Sequence, residues 1–401
     1  MSVAVFIIIF LSLFGPKIAG VVDLSVVGGL FGLAFLLFFK KVLVCREYVV
    51  VVTFVSAVAF YSMLVVSFNG FEDIHPILRH FRALISTALL GLFFYNLAIN
   101  SVLSSVKLTN ILIAVLLVNA IVIIASIFIP EIKSYLAGLY GFNKKFVALR
   151  SFGLTAGYDT AGYLCIFGAI FSFARAYYKT GISYSIIALV FIVAAIFTSR
   201  SAMMLAATLI TGVCVVFVLK GRWSLKVISV GYIVAGVSVA FYYVVPLILS
   251  SFFFQTSDVD YTSNYAVTDL SSWYETMWIL PEHTASVLLG TGKVVQTSDL
   301  GYVRMIYMIG VLGLLLVALM YIYMFFVIKA LSRSAKCGCF QIDLGGRVLV
   351  FSLLAILLLM YIINFKNLYF LSRGYHELIV ILFFFILGLA KKRVSVWGYA
   401  D

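Results

Sequence analysis

Residues 182–219 read ISYSIIALVFIVAAIFTSRSAMMLAATLITGVCVVFVL, with Arg200 as the sole charge. As one helix this stretch would run ~57 Å at ~1.5 Å per residue, almost twice the ~30 Å hydrocarbon core of a bilayer. The polar step Thr198-Ser199-Arg200-Ser201 therefore predicts a tight hairpin between two membrane spans, 182–199 and 201–219. Ten more apolar runs surround it: about 3–15, 21–39, 47–67, 83–100, 108–129, 160–177, 227–249, 303–328, 348–365 and 375–390, twelve in all. The first is short. With no basic residue before Pro16 and no convincing small-residue cleavage site, it reads as a span and not as a signal peptide.

Composition agrees. Hydrophobic residues make up 64% of the 401 and charged residues 11%, against roughly 45–50% and 25% in globular domains. Mean hydropathy is +1.18. A water-soluble fold has no place for so much apolar surface, which excludes a secreted enzyme, a cytosolic enzyme and a nucleic-acid binder. Five prolines and no polar low-complexity tract argue against disorder. No repeat of 20–50 residues is visible, which excludes a solenoid. The expectation is an all-α polytopic integral membrane protein, one transmembrane domain over residues 1–401.

Charge placement orients it. With both termini cytoplasmic, the inner side carries 16 Lys and Arg against Glu47, Asp343 and Asp401, and the outer side is neutral. The whole net charge of +13 is then positive-inside topology and says nothing of nucleic acid. Lys391-Lys392-Arg393 reads as a stop signal at the inner interface. Cys45, Cys337 and Cys339 fall inside, Cys165 and Cys214 within spans, and none in an outer loop, so no disulfide framework is expected.

The outer side is richer in chemistry. All four histidines, His75, His80, His283 and His376, fall there. Residues 130–159 form a basic outer loop with Lys133, Lys144, Lys145 and Arg150. Residues 250–302 form a large acidic loop with eight aromatics ahead of Tyr302, among them Trp273 and Trp278. A basic loop can clamp phosphate through bidentate arginine. An acidic, aromatic one can supply a carboxylate base and flat rings for the C–H faces of sugars. An interfacial aromatic belt is the other reading of the rings. Arg200, Arg304, Lys366, Arg373, His376 and Glu377 stand at the outer ends of spans. There they either face a wet cavity or snorkel to headgroups.

Several motifs fail on their chemistry. Gly290-Thr-Gly292-Lys293-Val294 resembles part of a phosphate loop, but Val287 stands where a glycine is needed and Val294 where a Ser or Thr is needed. Asp258-Val-Asp260 faces outward, away from cytoplasmic nucleotide sugars. The histidines show no zinc spacing. No metal and no cofactor is expected.

Four stretches carry a family resemblance. Arg150-Ser-Phe-Gly153 with Gly157 and Gly162 is similar to the outer loop of Wzy-type O-antigen polymerases. Phe197-Thr-Ser-Arg-Ser-Ala202 resembles the hairpin of the polymerase and ligase superfamily. Leu289-Gly-Thr-Gly292, Ser298-Asp-Leu-Gly-Tyr302 and Gly310-Val-Leu-Gly313 look like the run that closes the large outer loop of these polymerases. Asn364-Phe-Lys366-Asn367 resembles their lysine-containing turn. The resemblance spans roughly residues 145–390. It implies a GT-C-like helical fold in the bacterial inner membrane with its active site facing the periplasm. The implied partners are membrane lipids, undecaprenyl-diphosphate-linked oligosaccharide and a Wzz-type chain-length regulator. The growing glycan is transferred onto the non-reducing end of a new lipid-linked repeat unit. O-antigen ligases of the same superfamily carry a histidine followed by an asparagine late in the large loop, where this chain reads Thr297-Ser298-Asp299.

Chemistry then assigns roles. Breaking the bond from C1 to diphosphate needs the leaving charge held, and Arg150, Arg200 and Arg304 are the donors expected to converge. Activating a sugar hydroxyl needs a base, Asp299 first and His283 second. Lys366, Arg373, Trp273 and Tyr302 are expected to bind substrate. The competing readings are an O-antigen ligase, which transfers glycan to lipid A–core, and a Wzx-type lipid-oligosaccharide flippase. The flippase would need cations lining a cavity mid-helix.

Overall fold

The computed structural model describes residues 1–18, 22–39, 41–140, 150–155, 157–179, 182–199, 201–209, 278–295, 300–336, 343–365 and 367–397. These are helical apart from turns and a two-residue antiparallel ladder that pairs Lys17 with Asp23 and Ile18 with Val22. The helices are α1 (Ser2–Phe14), α2 (Leu24–Leu36), α3 (Arg46–Phe68), α4 (His75–Ile99), α5 (Ser105–Phe128), α6 (Pro130–Tyr140), α7 (Tyr158–Lys179), α8 (Ile182–Ile196), α9 (Thr284–Leu289), α10 (Gly301–Lys336), α11 (Leu344–Ile363) and α12 (Tyr375–Trp397). Residues 201–209 form a further helical stretch.

Five of the described helices, α3, α4, α5, α10 and α11, are long and apolar enough to cross a membrane. That is compatible with a multi-pass membrane protein. Ten of the twelve apolar runs coincide with helices. The run at 201–219 is helical as far as 209, and the run at 227–249 lies outside the described residues. The break expected at 198–201 is present: α8 ends at Ile196, and Ser199 Oγ accepts from Ala202 N (3.2 Å) as the next helix begins. Caps set the starts elsewhere. Asp23 accepts from Ser25 N (3.0 Å) at α2, and Asp343 from Gly346 N (3.0 Å) at α11.

Helix α2 has 13 residues, ~20 Å, and alone falls short of the ~30 Å core. Its extension runs on beside α4. Gly29 packs on Leu89 and Gly32 on Phe93, while Leu43 N donates to Asn96 Oδ1 (2.8 Å) and Asn100 Nδ2 to Lys41 O (3.4 Å). Residues 29–43 thus accompany residues 89–100 of α4, although regular helix stops at Leu36.

At the centre α4 packs against α12. Gly91 lies under the Phe384 ring and Gly388 against the Tyr95 carbonyl, where an added Cβ would stand 2.7 Å and 2.5 Å from its neighbours. Without side chains there the two backbones come close, the usual device of helix packing in lipid.

Loop contacts sort into two ends. At one, Tyr140 OH donates to Phe14 O (2.7 Å), Ser151 N to Phe197 O (2.8 Å), Val294 N to Asp73 Oδ2 (2.8 Å) and Gly301 N to Asn364 O (2.9 Å). At the other, Lys391 pairs with Glu47 (2.6 Å), Ser105 bonds to Asp343, and Tyr184 OH donates to Asn110 Oδ1 (3.2 Å). Segments expected to share a side of the membrane meet one another. The first end is called the arginine end below.

Two segments expected on the outer side contain more regular structure than a loop. Residues 130–159 include α6 and the start of α7, because Pro130 suits a helix's first position and Leu136 packs with Phe152. Residues 250–302 include α9 and the start of α10. Within α10 the helix breaks at Gly310 (φ 64°, ψ −179°). The break exposes the Tyr307 carbonyl, which accepts from Thr291 N (2.7 Å) and Gly292 N (3.1 Å). Gly290 and Gly310 touch backbone to backbone. The glycines of the resemblance at 289–292 and 310–313 are therefore one packed unit, and bare backbone is what lets a loop satisfy a broken helix.

Candidate functional site: an arginine cluster at one end of the bundle

The site begins with an early helix start. Asp73 Oδ1 accepts from His75 N (2.9 Å), and Pro76 occupies the first turn, so α4 starts at His75 and not near residue 83. Arg79, His80 and Arg82 thereby fall within the first turns of α4. Arg79 Nη2 donates to Leu368 O (3.2 Å) and Phe370 O (2.9 Å), and Arg82 Nη2 to Leu371 O (2.9 Å).

The 364–374 turn that receives these bonds is held from within. Asn364 Oδ1 accepts from Tyr369 N (2.9 Å) and Phe370 N (3.2 Å), and Glu377 Oε2 from Gly374 N (2.7 Å). Arg304 Nη1 donates to Asn367 Oδ1 (3.1 Å). Arg373 donates to Gly15 O (2.6 Å) and pairs with Asp23 (2.5 Å), which pins the α1–α2 turn to the same place. Tyr302 OH donates to Tyr361 O (2.6 Å), with its ring edge-on to Phe365 and Phe370.

Four half-buried guanidiniums, Arg79, Arg82, Arg304 and Arg373, thus gather round one turn. Two carboxylates face them: Asp23 on Arg373, and Glu377, fully buried and 4.0 Å from Arg82 Nε. Among the described residues these are the two carboxylates that meet the four arginines. Arg79 Nε, Arg82 Nε, Glu377 Oε1 and both ring nitrogens of buried His80 have no hydrogen-bond partner. Such groups are costly at membrane depth and are rare away from functional sites. Beneath them His376 is fixed between Thr87 Oγ1 (2.7 Å) and Tyr321 OH (3.0 Å). At the turn before α2, burial pushes the Asp23 carboxyl up. Arg373 and the bonds from Ser25 outweigh this and hold it below its ordinary value.

A second polar group touches the other side of the 364–374 turn. The Tyr369 ring stacks edge-on to Tyr163 (5.1 Å) and lies 4.9 Å from Tyr375, whose hydroxyl donates to Thr160 O (3.0 Å). One residue earlier, Asp159 Oδ1 accepts from Ser201 Oγ (2.7 Å).

The residues expected from sequence divide. Arg304, Arg373 and Tyr302 are brought together. Arg150 is half-buried beside Ser151, which is tied to Phe197 and to Ser126 (Oγ to Oγ, 2.5 Å), and so lies near the 198–201 step. Arg200, Asp299, Lys366 and Trp273 lie outside the described residues; α10 starts at Gly301, two residues past Asp299. His283 is exposed ahead of α9 and makes no side-chain cap bond. Among the described residues no group of three or more His, Cys, Asp or Glu could hold a metal. Arg79, Arg82 and Asp23 escape the sequence reading. The signal for the first two was Asp73-Ile-His-Pro76, a helix start that moves both arginines into the bundle. Compared with known proteins, the chain matches no family model and no curated sequence.

Proposed function

We propose that the protein is a bacterial inner-membrane glycosyltransferase of the O-antigen polymerase type, with its arginine end facing the periplasm. On this reading it has about twelve spans in a GT-C-like arrangement. It transfers a growing glycan from undecaprenyl diphosphate onto a new lipid-linked repeat unit, beside a chain-length regulator in the same membrane. The observation that carries the reading is the gathering of four half-buried arginines round one turn. A diphosphate diester carries two negative charges, and guanidiniums meet phosphate oxygens with paired donors. As C1 separates from diphosphate, negative charge grows on the bridging oxygen, and fixed cations in a poorly hydrated site stabilise it most there. The diphosphate linkage is itself activated, so no nucleotide is called for.

The test is complementation of a strain deleted for this gene. Wild type restores a polymer ladder on lipopolysaccharide gels. Arg304→Lys keeps the charge, loses the guanidinium fork, and yields single repeat units, a rate loss of about a hundredfold. A full ladder from Arg304→Lys and Arg79→Lys would sink the diphosphate reading. Loss of all glycan on lipid A–core would point to the ligase instead.

A further inference from the structure

Of the two bases expected from sequence, Asp299 lies outside the described residues and His283 is exposed ahead of α9, while the structure offers another carboxylate. Asp159 is half-buried in the first turn of α7, at the arginine end. Of the other described carboxylates near this end, Glu131 and Glu282 are exposed, and the rest are committed elsewhere. Asp23 pairs with Arg373, Glu72 with Lys293, Asp73 accepts from His75 N and Val294 N, and Glu377 is sealed against Arg82. The hydrogen-bond partner of Asp159 is the neutral hydroxyl of Ser201, in the step that follows Arg200. A carboxylate has about four acceptor sites, so one such bond orients it and leaves capacity for a substrate hydroxyl.

Its position relative to the arginines is set by three residues of one turn. The carbonyls of Leu368 and Phe370 accept from Arg79, while the side chain between them, Tyr369, packs on Tyr163 and Tyr375 next to Asp159. The guanidiniums and the carboxylate thus flank a single stretch of backbone. Tyr163, Tyr369 and Tyr375 are all at most 2% exposed and form a rigid floor. A displacement at C1 needs this division: cations on the leaving diphosphate, and a base on the incoming hydroxyl a short way off.

We propose that Asp159 is the general base that accepts the proton of the acceptor sugar's hydroxyl, oriented by Ser201. The inference rests on the glycosyl-transfer reading above. The hydroxyl oxygen bonds to C1 as its proton passes to Asp159. The C1–O bond to diphosphate breaks, and its electron pair leaves on the diphosphate. The carboxylic acid then returns the proton to water.

The test uses the purified full chain with undecaprenyl-diphosphate-linked repeat units extracted from the gene-deleted strain. Polymer is scored on gels across pH. Asp159→Asn retains an acceptor for Ser201 and cannot take a proton. It should lower the rate about a hundredfold or more at an unchanged melting temperature, and should lose the acidic limb of the pH–rate profile. Asp159→Ala should regain part of its rate with added formate. Ser201→Ala, which keeps the carboxylate, should lower kcat about tenfold with little change in KM. An Asn variant within threefold of wild type, or one that keeps the acidic limb, overturns the assignment. If Asp159→Asn does not fold, unchanged kcat in Ser201→Ala does the same. Wild type that makes no polymer from these units would instead overturn the glycosyl-transfer reading, and this assignment with it.

Discussion

The same helices run to both ends of this bundle, and the two ends treat charge in opposite ways. At the end that holds Glu47, Asp343 and Lys391, polar groups are matched locally: Lys391 with Glu47, Asp343 with Ser105 and Gly346, Asn96 with the backbone of Leu43. At the arginine end four guanidiniums gather round one turn, and three of their six described hydrogen bonds go to its carbonyls. Arg175 is the exception at the first end. It is 2% exposed, its Nε and Nη1 have no hydrogen-bond partner, and it faces the Tyr184 ring 5.5 Å away. The difference teaches where to look for function. Short-range pairing only holds helices together, whereas half-buried guanidiniums gathered round one turn repel one another and are suited to an anion.

Substitutions can break or sharpen this contrast. The largest effect is expected at Arg82. Arg82→Leu leaves Glu377 as a buried carboxylate without its cation and should destabilise by about 3–5 kcal/mol, while Arg82→Leu with Glu377→Leu should recover most of that. Thermal melting in detergent measures both; additive losses would mean the pair is not coupled and the contrast is overstated.

Gly310→Ala comes next. Its φ of 64° and ψ of −179° belong to a region that L residues avoid, and its Cβ would meet the Leu288 backbone. The expected cost is about 1–3 kcal/mol, with loss of the α9 contact. Limited proteolysis near residues 284–292 should then speed up; unchanged cutting would show that the glycine pair does not hold that segment.

A smaller effect depends on pH. The Asp23 carboxyl titrates below its ordinary value, so its ion pair stabilises above about pH 4 and is lost as pH falls through the lowered value. Asp23→Asn should flatten the acid limb of the melting curve and leave the neutral region lower. An identical acid limb in the variant would remove Asp23 from the account.

Smallest of all is Lys391→Ala. Its side chain is 39% exposed and that of Glu47 23%, so the loss should stay under about 1 kcal/mol. A larger shift in melting temperature would mean that the first end is also built on strong charge coupling.

Much of this was legible without coordinates. Runs of apolar residues longer than a bilayer crossing fix helices and their alternation, because lipid satisfies no backbone group and a spanning segment has to bond to itself. The step at Thr198–Ser201 is local, and local chemistry reads from sequence. The start of α4 did not read, since Arg79, His80 and Arg82 look like loop residues to any hydropathy window. Asp73-Ile-His-Pro76 is the local signal that α4 begins two turns earlier, and only packing shows that these turns carry the arginines against the 364–374 turn. Arg79 reaches Phe370 across 291 positions and Arg373 reaches Asp23 across 350, and no periodicity encodes contacts of that separation. From sequence Asp159 is only the last residue of the 130–159 loop; its place beside Ser201 and the tyrosines depends on α7, the 198–201 step and α12 meeting at one end. Sequence thus determined which segments are helices and which ends they share, because burial in lipid is a property of each segment alone. Tertiary structure decided which charges stand together, because that depends on helix order and rotation, which are set by close contacts such as Gly91 under Phe384 and Gly388 against Tyr95.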